Sequence, residues 1–231
     1  MQWAIPEVTP LLLVKYKNGL VSIGTITGQR MYSTHAQAIA QYGLNSPDGM
    51  LSIVRFTLCT IQQPLSGCLR QIEDIEINGI QSKYLFGSKR KGLEYAIKNK
   101  AALHKGLLEI KSRNTDDLAR TIEAVYFVMQ VPSLGMVKAS FVLQMLGFNV
   151  ACLDSHNLKR LGLDVKEMKV PNTLRPETKI KKITKYVKLT QIKGTEFWWD
   201  TWCHYVAGNI ANKALATGEA VSEFHVKCVI R

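Results

Sequence analysis

Acidic residues are scarce in this chain. Eighteen aspartates and glutamates stand against thirty lysines and arginines in 231 residues, a formal charge of +12. A surplus of that size favours a polyanionic partner, because each neutralised phosphate releases condensed counterions. Charge alone does not separate DNA from RNA or from an anionic surface. Long apolar runs are also missing: none approaches the roughly 20 residues needed to span a bilayer, so no membrane partner is expected. Met1-Gln2-Trp3-Ala4 carries no basic region followed by an apolar stretch, so no secretory signal is visible and an intracellular location is the expectation. The five cysteines, at 59, 68, 152, 203 and 228, are odd in number and widely spaced, and no C-x-x-C pair occurs. They do not suggest a disulfide framework or a zinc site, and are read as reduced, mostly buried thiols. Repeats and low-complexity linkers are absent as well. What remains is an ordinary globular composition, 46% apolar and 21% charged, long enough to bury a real core.

The first segment reads as strands. Residues 11–16 and 20–26 are apolar and β-prone, and they flank Lys17-Asn18-Gly19, where Asn-Gly is a strong hairpin signal. A short helix is expected from Thr34 to Tyr42, ended by Gly43. From there onward the pattern is helical. Ser46-Pro47-Asp48 reads as an N-cap, a first-turn proline and a first-turn acid, opening a helix to about Gln62. Helices are expected over Leu65–Glu73 and Lys91–Ile110, the latter broken near Gly106. Asn114 or Thr115 caps the next, where Leu118, Ile122, Val125 and Met129 recur at helical spacing. A further apolar helix runs to about Leu146 and is closed by Gly147. Residues 162–178 read as a loop, Lys179–Thr190 as a basic helix and Phe197 to about Leu215 as the last clear helix. The tail is expected to add a short strand at Glu223–Ile230. The predicted fold class is therefore mainly α with a small N-terminal β element.

Val131-Pro132-Ser133-Leu134-Gly135 joins two apolar helices in a tight turn. Such a turn leaves unpaired backbone N–H groups at the start of the second helix, where the helix dipole is positive. Both features attract a phosphate oxygen without reading a base. The turn is followed by Met136-Val137-Lys138-Ala139 and, later, by Ala151-Cys152-Leu153-Asp154-Ser155-His156.

This pair of segments resembles the helix-hairpin-helix DNA glycosylase superfamily, with its endonuclease III, adenine, oxoguanine and alkyladenine-type branches. There the hairpin usually reads L-P-G-V-G, and a short apolar stretch delivers an aspartate in a V-D-T-H or similar context. Asp154 occupies that place, 19 residues after Gly135. Residues 57–63, ending in Gln62 and Gln63, look like the family's early helix with its polar base-pocket end. Residues 95–101 are similar to the element opening a later helix. The resemblance covers about 49–210. It implies a two-lobed helical region over 46–231, whose C-terminal helices pack back on the first, preceded by a hairpin and short helix over 1–45.

Function follows from the resemblance as an expectation. The chain would bind double-stranded DNA containing a modified or mispaired base, extrude that base, and hydrolyse its N-glycosidic bond as a monomer. Base release builds positive charge on the sugar, which a fixed carboxylate stabilises; Asp154 is the candidate, and an N-cap role is compatible with it. Ser133, Leu134, Gly135, Met136, Val137 and Lys138 would contact a phosphate. Lyase members carry an amine two residues after the hairpin glycine, where this chain has Val137; Lys138 comes one residue later, about 100° around the helix. Hydrolysis by water is therefore expected, with Lys138 a phosphate contact or a solvated base, and a lyase role for it is the lesser reading. Ser133 departs from the family's glycine, which puts the turn geometry in question. No cofactor is expected: the iron–sulfur loop of some relatives has no cysteines here to form it.

Other candidates have two readings each. Trp198 and Trp202, with Phe197 and Trp199, could stack on an extruded base, although Trp199 and Trp202 at i,i+3 also suit core packing. Asp200 and His204 form an i,i+4 pair. Gln62 and Gln63 could fill the vacated base position or simply end a helix. Lys181, Lys185 and Lys188 fall on one helix face, and Lys89-Arg90-Lys91 are clustered; phosphate contact and plain solvation are both open. Two rival functions stand beside the glycosylase: a glycosylase-fold enzyme of hypermodified-base metabolism, and a non-catalytic DNA-binding protein that uses the hairpin for grip.

Overall fold

The computed structural model describes residues 12–16, 19–23, 35–160, 162, 164, 170–171, 173–207 and 215–231. The chain divides into two units, 1–30 and 31–231. In the first, strands β1 (Leu12–Tyr16) and β2 (Gly19–Ile23) pair antiparallel, with Leu12 opposite Ile23 and Tyr16 opposite Gly19. Gly19 belongs to β2 rather than to the turn. Of the residues expected in the hairpin and the first helix, Leu11, 17–18, 24–26 and Thr34 lie outside the described residues.

The second unit is mainly helical. Helix α1 (Gln37–Asn45) packs on α2 (Pro47–Cys59) and so groups with the helical body rather than with the hairpin. The helix runs through Gly43 instead of stopping there. A Cβ at that position would lie 2.3 Å from Ile53 Cδ1, so the glycine serves close packing of α1 on α2. Ser46 Oγ accepts from the Gly49 N–H at 3.0 Å, the cap its sequence predicts. A 3-10 turn at Leu65–Gly67 leads into α3 (Cys68–Asn78), and α4 (Ser88–Ser112) follows. Helix α4 does not break at Gly106, because that residue lies under the Phe127 ring of α5 (Asp117–Val128). Asp116, not Asn114 or Thr115, caps α5, its carboxylate accepting from the Ala119 N–H at 2.8 Å.

Helix α6 (Met136–Met145) is buried on nearly every side and forms the centre of the core. It ends in a left-handed Gly147 (φ +72°), with the Phe148 N–H bonded to the Leu143 carbonyl and the Gly147 N–H to that of Gln144. A short α7 (Ser155–Arg160) follows, then α8 (Pro176–Gln191) and α9 (Gly194–Val206). Of the loop expected over 162–178, residues 162, 164, 170–171 and 173–175 are non-helical, but 176–178 already belong to α8, which Pro176 opens at its first turn. The end of the last expected helix, 208–214, lies outside the described residues.

The tail corrects the sequence reading. It is a helix, α10 (Gly218–Val229), rather than a strand. Thr217 caps it through the Ala220 N–H at 3.1 Å, and Val221, Phe224, His225, Cys228 and Val229 recur at helical spacing on its buried face. That face packs on α2, α3 and α9. The cysteines are free and all but Cys152 are buried. Among the described residues no helix is long and apolar enough to cross a membrane.

Candidate functional site

The segment between α6 and α7, which carries Asp154, is neither helix nor strand. A buried irregular backbone must find partners for its N–H and C=O groups elsewhere, and here side chains supply them. The Tyr186 hydroxyl of α8 donates to the Ala151 carbonyl at 2.7 Å and accepts from the Leu153 N–H at 2.8 Å. Gln144 of α6 accepts from the Cys152 N–H at 3.1 Å, and the Asn157 side chain of α7 donates to the Cys152 carbonyl at 3.1 Å. Three helices thus brace three consecutive residues. Burial pushes the Tyr186 phenol well above its ordinary pKa, so it remains a neutral hydroxyl able to donate and accept at once.

Asp154 emerges from this brace half-buried, as the N-cap of α7. Its Oδ1 accepts from the Asn157 N–H at 2.9 Å, and its carbonyl accepts from the Leu158 N–H. The cap orients the carboxylate, and the helix dipole of so short a helix adds little beyond that. The side chain of His156 lies outside the described residues.

Lys138 is turned inward, which corrects its reading as a solvated base. It is half-buried, its ammonium donates to Thr60 Oγ1 at 2.9 Å, and it lies 5.5 Å from the centre of the Phe141 ring. Thr60 ends α2, and exposed Gln62 and Gln63 follow it, Gln62 in a left-handed conformation at φ +54°. Burial pushes Cys152 up to about 12, while Lys138 pulls it down and the Asp154 carboxylate pushes it up. The Lys138–Thr60 bond joins the start of α6 to the end of α2.

The hairpin stands at the entrance to α6. Ser133 keeps the turn by adopting φ +72°, a conformation that costs a non-glycine residue on the order of 1 kcal/mol. Its Oγ is buried with no hydrogen-bond partner. Leu134 and Met136 put their side chains into the core, so only their backbone can meet a ligand. Gly135 is exposed, no side chain caps α6, and the first intrahelical bond is Ala139 N–H to the Gly135 carbonyl. The amides of Met136, Val137 and Lys138 are thus the orphan donors of the helix start. Helix α4 lies close beneath: a Cβ on Gly92 would sit 2.3 Å from the Pro132 carbonyl oxygen.

Several expected residues stand elsewhere. Trp198 is buried between α8 and α9, its indole N–H donating to the Thr190 carbonyl at 2.9 Å, so it is a core residue rather than a base platform. Trp199 is likewise buried and bonded to Ser222 at 3.0 Å. Trp202 is half-buried against Tyr205, ring centres 6.0 Å apart. His204 packs on Gly218 at the start of α10. Of the Lys89-Arg90-Lys91 cluster only Lys91 is exposed. Arg90 donates to the Leu85 carbonyl at 2.9 Å. Lys89 is buried, with no hydrogen-bond acceptor and its ammonium 4.7 Å from the centre of the Phe86 ring. Burial, reinforced by the charge of Lys138, holds it below the usual lysine range. Lys89 lies within a basic cluster and Tyr186 falls on the same face as Ile183 and Val187, but only the fold decides what each meets.

Comparison with protein-family models, with curated proteins and with solved structures returns no match.

Proposed function

We propose that this protein is a helix-hairpin-helix DNA glycosylase, which extrudes a modified or mispaired base and hydrolyses its N-glycosidic bond. The observation that carries the reading is a carboxylate presented by a segment that three helices brace, in a helical body whose central helix opens on a hairpin with orphan amides. An oxocarbenium-like sugar needs a negative charge that does not have to reorganise as the bond breaks. Asp154, with one oxygen committed to the cap, is such a charge. The amides of Met136–Lys138 would hold a phosphate beside the lesion, and Gln62 and Gln63 would fill the gap that an extruded base leaves. The two-lobed glycosylase architecture, and duplex DNA as the partner, are part of this reading.

Asp154→Asn tests it cleanly, because asparagine caps a helix about as well as aspartate. The variant is expected to fold and to bind duplex like the parent, while base release falls on the order of 100- to 1000-fold, the scale of losing one preorganised charge-stabilising group. Abasic-site formation would be read on duplexes that each carry one damaged or modified base. Unchanged release would remove Asp154 from the chemistry.

One observation favours a second reading, an amine-dependent lyase step: the ammonium of Lys138 faces inward and acts on the same thiol as Asp154. Borohydride trapping on a duplex containing an abasic site decides it. An adduct abolished by Lys138→Ala establishes the covalent route, and its absence leaves water as the nucleophile.

A further inference from the structure

Helix α8 contributes Tyr186 to the brace, yet most of its length has a different character. Between Thr173 and Lys193 the chain carries seven basic residues and a single acid, Glu177. Lys181, Lys185 and Lys188 are exposed, and their spacing puts them on one face. Neighbouring like charges at i,i+3 and i,i+4 destabilise a helix. A polyanion laid along this face would offset that repulsion.

The packing shows which way α8 runs. Gln191, at the end of α8, donates to Asp117 Oδ2 at 3.3 Å and to the Asn149 carbonyl at 3.1 Å. Asp117 opens α5, so α8 runs back along α5, against which it packs. Its first turns therefore lie toward the end of α5 where the 131–135 hairpin begins, and Tyr186 reaches Ala151 and Leu153 from the same helix.

We propose that the Lys181, Lys185 and Lys188 face of α8 is a second contact surface for the phosphate backbone of duplex DNA, additional to the hairpin. It rests on the reading of duplex DNA as the partner, not on the base-release chemistry. The class of ligand is set by chemistry: a row of point charges with no aromatic among them suits evenly spaced phosphates and reads no base.

The test measures binding of the full chain to an undamaged duplex over a range of salt concentrations. Parent, Lys181→Gln/Lys185→Gln/Lys188→Gln and an equal-charge control, Lys98→Gln/Lys105→Gln/Lys227→Gln, are compared; the control lysines are exposed on α4 and α10. The slope of log affinity against log salt is expected to shrink by about 3 in the α8 variant, roughly 0.9 per phosphate contact, and by less than about 1 in the control. Single Lys185→Gln should lose about a third of the triple's effect, which guards against a triple that folds poorly. Equal losses in variant and control, no loss in either, or a parent that does not bind duplex overturn the surface. So does a slope difference seen with anionic vesicles and not with duplex. A parent that binds duplex but releases no base from any lesion sinks the hydrolase reading alone, and the slope comparison still decides the surface.

Discussion

Removing one oxygen atom, in Tyr186→Phe, should loosen the segment that presents Asp154. The ring stays, and phenylalanine fills the same space, so no cavity larger than an oxygen opens. Two backbone groups lose their partner: the Leu153 N–H and the Ala151 carbonyl, each on a residue with 0% exposure. A buried polar group left unsatisfied costs about 1–3 kcal/mol, while the buried hydroxyl's own desolvation is relieved. The net loss should be about 2–4 kcal/mol, a large share of the roughly 5–15 kcal/mol that a domain has in total. Urea unfolding measures it directly, with the midpoint moving and the slope m unchanged because the same surface is exposed. Base release, assayed at a temperature where the variant remains folded, should fall beyond what the folded fraction explains, since the carboxylate loses its fixed direction. A stability loss under about 0.5 kcal/mol would refute the reasoning. It would mean that the segment satisfies its backbone another way and that Tyr186 is merely packed there.

His225 predicts an acid sensitivity. It is buried among the rings of Phe56, Phe141 and Trp199, and burial lowers it from 6.5 to about 4. Because the folded value is depressed, the contribution is fully present above about pH 6.5 and is lost as pH falls toward 4; at roughly 1.36 kcal/mol per unit it amounts to about 3 kcal/mol. Unfolding midpoints between pH 7.5 and 4.5 should show a slope that shrinks in His225→Gln, and an unchanged slope would contradict it. Gly92→Ala sets two effects against each other: a helix-propensity gain of about 1 kcal/mol and a Cβ 2.3 Å from the Pro132 carbonyl oxygen, for which overpacking costs about 1–3 kcal/mol. The backbone contact should win, with a lower melting temperature and weaker duplex binding as the hairpin shifts. Ser133→Gly relieves the positive φ at the price of glycine's freedom in the unfolded chain, so thermal unfolding should show a gain between 0 and about 1 kcal/mol. A marked destabilisation would show that the serine hydroxyl matters to the fold.

How far the site could be read in advance depended on the range of the interaction. Ser46, the hairpin at 131–135 and the Asp154 cap involve residues within four positions of one another, and local geometry made each visible. Errors came where distant residues decide. Gly43 and Gly106 look like helix stops by propensity, but each lies in a helix whose partner approaches too closely for a side chain. Residues 223–230 alternate well enough for a strand, but packing on α2, α3 and α9 selects the helix. The tryptophans of α9 follow the same rule: a run of aromatics suits a base platform or a core, and Thr190 and Ser222 decide for the core at Trp198 and Trp199.

By itself, the sequence determined that this is a basic, mainly helical chain, with a tight hairpin before its most apolar helix and a capping aspartate after it. Periodicity, capping and net charge are short-range or additive properties, and they survive without a fold. The inward turn of Lys138, the burial of Lys89 and the brace around residues 151–153 were decided only by tertiary structure. Each joins groups tens of residues apart, as Thr60 to Lys138 and Ala151 to Tyr186 do. Which of several polar side chains completes a buried backbone is settled by the packing of whole helices.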